Sequence, residues 1–319
     1  MKLSNLSIKK LVKGACYFEE RDGYLYPYHY TKEQIDYFRD LVDWGPRARF
    51  GAGIKIELYT EATKLGFKVC PVAFNPDQTT IDIYVNDVAH AICPLTESKP
   101  SKLEFDLPEG KKKVSIYLPI NCEIGVRGLE FNGGYRAVKE KKTPVLVIGD
   151  SITQGYGAVY AGASYINVLS RLYGMEILNQ AIGGYRFDEG GVQKIEGFEP
   201  EKVLVALGTN YYDAPDLYDY EDETVRFFEK LHRLYGDKKT AIVTPVWRND
   251  RDVQWDRLNW CVSIIKRECA KYDNITVING FDLIPPIDQC FMPDKVHPNT
   301  YGMLNMAENL NRAFKKIKF

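Results

Sequence analysis

The chain has 319 residues, enough for two cores or one large one, and its 45% hydrophobic and 27% charged residues are those of an ordinary soluble globular protein. With 42 basic and 43 acidic side chains the net charge is −1, which leaves no basic footprint for nucleic acid or an anionic membrane surface. No apolar run is long enough to span a bilayer, and seven cysteines without Cys-x-x-Cys or cysteine–histidine spacing argue for reduced thiols rather than disulfides or a zinc site.

The first ten residues lack the apolar core of a signal peptide, so a cytoplasmic protein is expected. Thr31-Lys32-Glu33-Gln34 reads as a capping box opening a short helix, with Ile35, Phe38 and Leu41 on one face. Between residues 46 and 131 the pattern is of short alternating strands at 54–58, 81–85, 103–107 and 114–118, with turn signals at Asn75-Pro76-Asp77, Asn86-Asp87 and Pro108-Glu109-Gly110. Strands of this kind without intervening helices predict an antiparallel, jelly-roll-like β-sandwich. The lysines after Gly110 read as a hairpin tip, and Lys139-Glu140-Lys141-Lys142 as a linker, which divides the chain into 1–138 and 139–319.

From residue 143 strands alternate with helices. Strands are predicted at 145–149, 176–179, 202–207, 240–245 and 275–278, and helices around 221–235, 254–272 and 300–316. Such alternation requires right-handed crossovers and a parallel sheet covered on both faces, a flavodoxin-like three-layer α/β/α domain. Within the helical pattern of 254–272, Cys261 and Cys269 read as packing residues.

The first strand of this second rhythm, Val145-Leu146-Val147-Ile148, ends in Gly149-Asp150-Ser151, which delivers a serine to the carboxyl edge of a sheet. Serine and aspartate are also ordinary turn and cap residues, so the reading requires a base. There are four histidines. His29, His90 and His232 read as structural or solvated. His297 lies in Asp294-Lys295-Val296-His297-Pro298-Asn299, where a short turn can present an imidazole and an orienting carboxylate together. The simpler reading of that segment is a helix start capped by Asn299 or Thr300. Asn179 to Gly184 follows the second strand and ends in two glycines, and Gly208-Thr209-Asn210 follows the third. Each offers a donor suited to a developing oxyanion, although each also reads as a plain turn.

In these four blocks and their order the sequence resembles the SGNH (GDSL) hydrolase superfamily over roughly residues 143–319. The resemblance implies Ser151 as nucleophile, His297 as base and Asp294 as its orienter. It implies an oxyanion hole made by the Ser151 and Gly184 N–H groups and Asn210, with no metal or organic cofactor. One departure is Tyr211, where the family often has aspartate. The layout of a β-sandwich ahead of the hydrolase domain is similar to that of some carbohydrate esterases. A small ester, an O-acetyl group on a saccharide, is the expected substrate. Tyr156, Tyr160, Tyr185, Tyr211, Tyr212 and Trp247 are candidates around the mouth, with Tyr185, Tyr211 and Trp247 as substrate-binding residues. Since all of these residues lie after position 148, the sandwich is left to contact bulkier substrates. The alternatives are a carbohydrate-binding protein with an inert hydrolase-like domain and, last, a nucleotide-binding domain, for which Gly149 to Gly157 has neither a P-loop nor a dinucleotide-binding spacing.

Overall fold

The computed structural model describes residues 1–74, 79–211, 218–250 and 254–319; the predicted turn at Asn75–Asp77 and Tyr212 lie outside the described residues. The first part is a sandwich of two antiparallel sheets. One sheet consists of β1 (Val12–Lys13), β4 (Lys55–Thr60), β9 (Lys112–Tyr117), β6 (Thr80–Val85) and β7 (Val88–Pro94) in that order, with β11 (Tyr135–Ala137) pairing the end of β4 that β1 leaves open. The other runs β2 (Tyr17–Arg21), β3 (Tyr24–Tyr28), β10 (Cys122–Phe131), β5 (Lys64–Phe74) and β8 (Ser101–Asp106). The inner faces meet through Ile54, Ile56, Leu58, Ile81, Ile83, Val114 and Ile116 on one side and Leu65, Phe67, Val69, Ile124 and Val126 on the other. This inner face is the alternation visible in the sequence.

The predicted strands are present with bounds shifted by one to a few residues, while β5 and β10, the long central pair of the second sheet, carry no clean alternation in sequence. Gly66 and Pro71 interrupt β5, Gly125 and Gly128 interrupt β10, and the pairing of the two strands contains two register shifts. At Gly125 the glycine is required, because a Cβ would stand 2.5 Å from the Tyr26 ring. Two readings of lysine clusters are corrected. The connection at Gly110 joins strands of different sheets, so it is not a hairpin tip; Lys112 and Lys113 lie within β9, where Lys113 pairs with Asp87 at 2.7 Å. Nor is the segment before residue 143 a free linker: β11 adds to a sheet, Tyr59 bonds Glu140, and Lys142 donates to the Ser170 carbonyl at 2.9 Å.

A short helix, α1 (Asn5–Lys9), precedes β1, and α2 (Lys32–Phe38) and α3 (Trp44–Arg47) fill the passage between β3 and β4. The capping box at α2 is present in both directions, Gln34 N–H to Thr31 Oγ1 at 3.2 Å and Thr31 N–H to Gln34 Oε1 at 3.0 Å. Ile35 and Phe38 are buried, while Leu41 falls beyond the helix end and is exposed.

The parallel sheet has the order β13 (Met175–Ala181), β12 (Thr143–Gly149), β14 (Lys202–Ala206), β15 (Lys239–Val243), β16 (Ile275–Ile278), as expected of a flavodoxin-like sheet. After α4 (Ser151–Gln154), the helices α5 (Tyr165–Leu172) and α8 (Thr300–Ile317) cover one face, and α6 (Tyr218–Tyr235) and α7 (Trp255–Cys269) the other. Helix α5 is absent from the sequence reading, since its Tyr-Ile-Asn-Val-Leu start is as compatible with a strand. Cys261 and Cys269 are buried in α7, and all seven cysteines are free thiols.

The two parts share a core. Tyr24, Tyr26, Tyr28 and Tyr30, with Ile35 and Phe38, pack in the same cluster as Leu146, Ile148 and Leu178 of the parallel sheet and the buried face of α6. The order of connections reverses at β12, so β13 and β14 flank it and a crevice opens beyond their carboxyl ends.

Candidate active site

Ser151 stands in that crevice. Strand β12 can turn so tightly because Gly149 has no side chain; a Cβ there would lie 2.4 Å from the Thr153 side chain. Asp150 caps α4 by accepting the Ile152 N–H at 3.0 Å, and Gly155, at φ 112°, ends the helix after a single turn. Ser151 is thus the first residue of a short helix, where its own N–H lies outside the helical bonding pattern.

His297 and Asp294 reach it from the turn before α8. Asp294 Oδ1 accepts the N–H groups of Val296 and His297 at 2.9 and 3.0 Å, and Oδ2 lies 2.8 Å from His297 Nδ1. Burial by itself would raise this carboxyl, but the bonds from the His297 ring and the two N–H groups outweigh it and bring the carboxyl down to about 2. An ionised Asp294 selects the tautomer with the proton on Nδ1, which leaves Nε2 as the acceptor, and Nε2 is 2.8 Å from Ser151 Oγ. The edge of Tyr156 packs against the imidazole with ring centroids 4.6 Å apart. Both readings of the segment hold at once, since Asn299 caps α8 by accepting the Gly302 N–H at 3.1 Å while His297 faces the serine.

The glycine pair is fixed to an unusual degree. Successive N–H groups of Ile182, Gly183 and Tyr185 are bonded to Gly149 O, Gln154 Oε1 and Ile182 O at 3.0, 2.7 and 3.0 Å. The Gly184 N–H is the exception and has no acceptor among the described residues. Gly184 has φ 79°, a conformation that favours glycine. Asn210 uses one amide hydrogen on the Tyr185 carbonyl at 2.9 Å and has a second to offer. Ser151 N–H, Gly184 N–H and Asn210 Nδ2 therefore border one cavity with the serine hydroxyl.

The cavity has a volume of about 620 Å³. It is lined by Ser151, Tyr156, Gly183, Gly184, Asn210, Asp294 and His297 together with Gln154, Asn121, Phe50 and Arg47. Three of these, Arg47, Phe50 and Asn121, come from the N-terminal part, and sequence reasoning did not single them out. Gln154 alone carried a signal, because it follows Ser151 at the i,i+3 spacing of one helix face.

The aromatic substrate-binding residues expected from sequence are not on the cavity wall. Tyr185 is 1% exposed, with the edges or faces of Phe38 and Trp44 against it and its hydroxyl on the Asp188 carbonyl at 3.1 Å. Tyr211 is also 1% exposed; it stacks on Phe187, accepts the Phe187 N–H at 2.7 Å and donates to Glu223 at 2.5 Å. These bonds hold the loop after β14 where the family often has aspartate. Trp247 packs against Trp255 and Phe281 and donates to Asn249. Strand-end position placed all three near the site in sequence, but burial of ring area turned them inward. Tyr160 packs on the core beneath α5 and α8, and of the aromatic candidates described Tyr156 is the one on the wall.

Two charged groups lie behind the site. Arg248 is buried and pairs with Asp250, bonding Thr209 O and Oγ1 at 3.2 and 3.1 Å, which secures the loop that carries Asn210. Asp150 is 4% exposed, and burial pushes its carboxyl up to about 6 against the opposing effects of the Ile152 N–H and the charges at His297 and Arg248.

The comparisons agree with this architecture. Residues 147–303 match the GDSL-like Lipase/Acylhydrolase family. No curated protein gives a sequence match. Among solved structures, a salicylyl-acyltransferase from a tetracycline biosynthetic pathway is 18% identical with a TM-score of 0.83, the match covering 96% of this chain and 94% of that one. A family two carbohydrate esterase from Clostridium thermocellum in complex with cellohexaose is 17% identical, TM-score 0.67, over 84% of this chain and 94% of that one. An acetyl xylan esterase from the rumen bacterium Butyrivibrio proteoclasticus is 14% identical, TM-score 0.64, over 84% and 91%. At these identities the likeness is one of fold, and it extends over the sandwich as well as the parallel sheet. Residues 147–303 therefore form a domain that matches the GDSL-like lipase/acylhydrolase family, a match that supports a carboxylic-ester hydrolase, behind an N-terminal β-sandwich.

Proposed function

We propose that the protein is a serine esterase that removes small acyl groups, acetyl above all, from O-acylated saccharides. The observation that carries this reading is the unbroken relay from Asp294 Oδ2 through His297 to Ser151 Oγ, with both contacts at 2.8 Å, on the wall of a cavity of about 620 Å³. In the proposed reaction Ser151 Oγ attacks the ester carbonyl carbon and His297 Nε2 takes the hydroxyl proton. The same proton passes to the departing alcohol oxygen, and a water molecule repeats the sequence on the acyl-enzyme to release the acid. The carbonyl oxygen, which becomes an anion in each tetrahedral intermediate, is received by Ser151 N–H, Gly184 N–H and Asn210 Nδ2.

Two features favour a saccharide over a long-chain lipid. The cavity lining includes Arg47, Asn121 and Gln154, hydrogen-bonding groups that suit hydroxyls better than methylenes, with Phe50 and Tyr156 as apolar faces. The fold is also that of proteins described as carbohydrate esterases, one of them bound to cellohexaose.

Labelling with a fluorophosphonate tests the nucleophile, and kcat/KM over p-nitrophenyl esters of rising chain length and acetylated oligosaccharides tests the substrate. Stoichiometric labelling that Ser151→Ala abolishes, with acetyl preferred, is expected. An unlabelled protein that still binds saccharide would support the inert-domain alternative, and a preference for long acyl chains would refute the substrate class.

A further inference from the structure

The Gly183–Gly184 segment is held from outside its own domain, and this determines where the candidate oxyanion donor points. Three consecutive carbonyls each accept a side-chain donor: Gly183 O from Arg47 Nη1 at 2.7 Å, Gly184 O from Trp44 Nε1 at 3.3 Å, and Tyr185 O from Asn210 Nδ2 at 2.9 Å. Arg47 and Trp44 are one turn apart on α3, in the N-terminal part of the chain. From the other side Gln154 Oε1 accepts the Gly183 N–H at 2.7 Å, and the Gln154 amide is itself anchored to Ile120 O and Asn121 Oδ1 at 3.0 and 2.8 Å, again residues of the N-terminal part.

The Gly183 carbonyl and the Gly184 N–H belong to one planar trans peptide, so fixing the first fixes the second and directs it the opposite way. We propose that Arg47 is a positioning residue for ester cleavage: by holding and polarising the Gly183 carbonyl it aims the Gly184 N–H at the oxyanion. This rests on the serine-esterase reading given above.

The physical case has three parts. A glycine at φ 79° next to another glycine has wide conformational freedom, so the peptide plane needs external restraint. A bond from a guanidinium is charge-assisted and stronger than one between neutral groups. A cation on the carbonyl end of an amide also draws electron density toward the oxygen and strengthens the N–H as a donor, as in any hydrogen-bonded chain. Arg47 therefore favours the transition state, where the oxygen is an anion, more than the bound ester.

The competing role is recognition of an anionic substituent on the substrate, since Arg47 lines the cavity and, among the described residues, has no carboxylate in ion-pair range. The two roles differ on neutral esters. With p-nitrophenyl acetate, Arg47→Met is expected to lower kcat roughly 10- to 100-fold, in line with a misaimed oxyanion donor, while KM moves by less than about two-fold. Arg47→Lys, which keeps the charge and a donor, recovers part of the loss. Inhibition by a trifluoromethyl ketone adds a readout that a merely structural role would not move. Ser151 Oγ bonds to its carbonyl carbon, His297 takes the hydroxyl proton, and the oxygen becomes an anion, so Ki should rise by the factor by which kcat/KM falls.

Unchanged kcat on p-nitrophenyl acetate with a raised KM for p-nitrophenyl hemisuccinate alone would overturn the proposal in favour of anion recognition. If Arg47→Met does not fold, Arg47→Gln and Arg47→Lys are compared in the same assays, and wild-type kcat in both overturns it equally. Fluorophosphonate labelling of each variant separates this from failure of the underlying reading: a wrong role for Arg47 leaves Ser151 labelled, whereas a wrong nucleophile leaves even the wild-type protein unlabelled.

Discussion

Replacing Asn210 with alanine removes two interactions whose effects fall on different measurements. The bond from Asn210 Nδ2 to the Tyr185 carbonyl, 2.9 Å, is present in the resting protein and half-buried, so its loss costs about 1 kcal/mol of stability and a Tm shift of a few degrees. The second amide hydrogen has its partner only when an oxyanion forms. Losing one such donor lowers kcat by about 100- to 1000-fold, roughly 3–4 kcal/mol of barrier, with little change in KM. Steady-state kinetics on p-nitrophenyl acetate and calorimetric melting therefore separate the two roles. Asn210→Asp sharpens the test, because it keeps the shape but turns an anion toward both the Tyr185 carbonyl and the developing charge, and it should fall below Asn210→Ala in kcat. An Asn210→Ala protein with normal kcat and a lowered Tm would refute the oxyanion role and leave Asn210 as a tie for Tyr185.

Asp150 has its carboxyl at about 6 rather than its ordinary 3.8 because it is buried. The folded state thus holds that proton more tightly than the unfolded one, so the associated stability is fully present below about pH 4 and is lost as pH rises through about 6. Asp150→Asn can still cap Ile152 and should raise stability in urea melts at pH 8 by on the order of 2–3 kcal/mol at most, with little gain at pH 4; an equal gain at both would exclude burial of the charge as the cause. Gly149→Ala places a Cβ 2.4 Å from Thr153 and should cost about 1–3 kcal/mol while displacing Ser151, seen as lower stability together with slower fluorophosphonate labelling. A chain beginning at Lys139 should fail to give soluble active protein even toward p-nitrophenyl acetate, because it removes Phe38 and the tyrosines of β3 from the shared core and Arg47 from the cavity; recovery of near wild-type kcat in such a chain would refute that dependence.

What could be read in the sequence was what is local in the chain. Gly149-Asp150-Ser151 and Asp294 to His297 each set a turn within a few residues, and the strand periods of the parallel sheet follow from burial on both faces. The order of the four blocks then brought together residues as distant as Ser151 and His297. The cavity wall was not legible in the same way. Arg47 meets Gly183 across 136 positions and Trp44 meets Gly184 across 140, and neither side chain stands in a pattern that distinguishes it from a surface residue on a short helix. The aromatics erred in the opposite direction. Their places after strands were right, but a tyrosine near a sheet edge gains more by burying its ring than by facing water, and Tyr185 and Tyr211 do so with their hydroxyls bonded.

The arrangement of charge around Ser151 matches what the proposed reaction must create. As the tetrahedral intermediate forms, the imidazole becomes a cation and the former carbonyl oxygen an anion. On the imidazole side are Asp294, bonded to Nδ1 at 2.8 Å, and the buried Asp150, whose carboxyl interacts electrostatically with His297. On the oxyanion side is the guanidinium of Arg47, one peptide unit behind the Gly184 N–H. Acidic groups thus face the charge that turns positive, and the arginine backs the donor to the charge that turns negative. They are in place before the substrate arrives, so little reorganisation is left for the step itself. Because that arginine comes from α3, ahead of the second strand of the sandwich's first sheet, the N-terminal part enters the electrostatics of the proposed reaction.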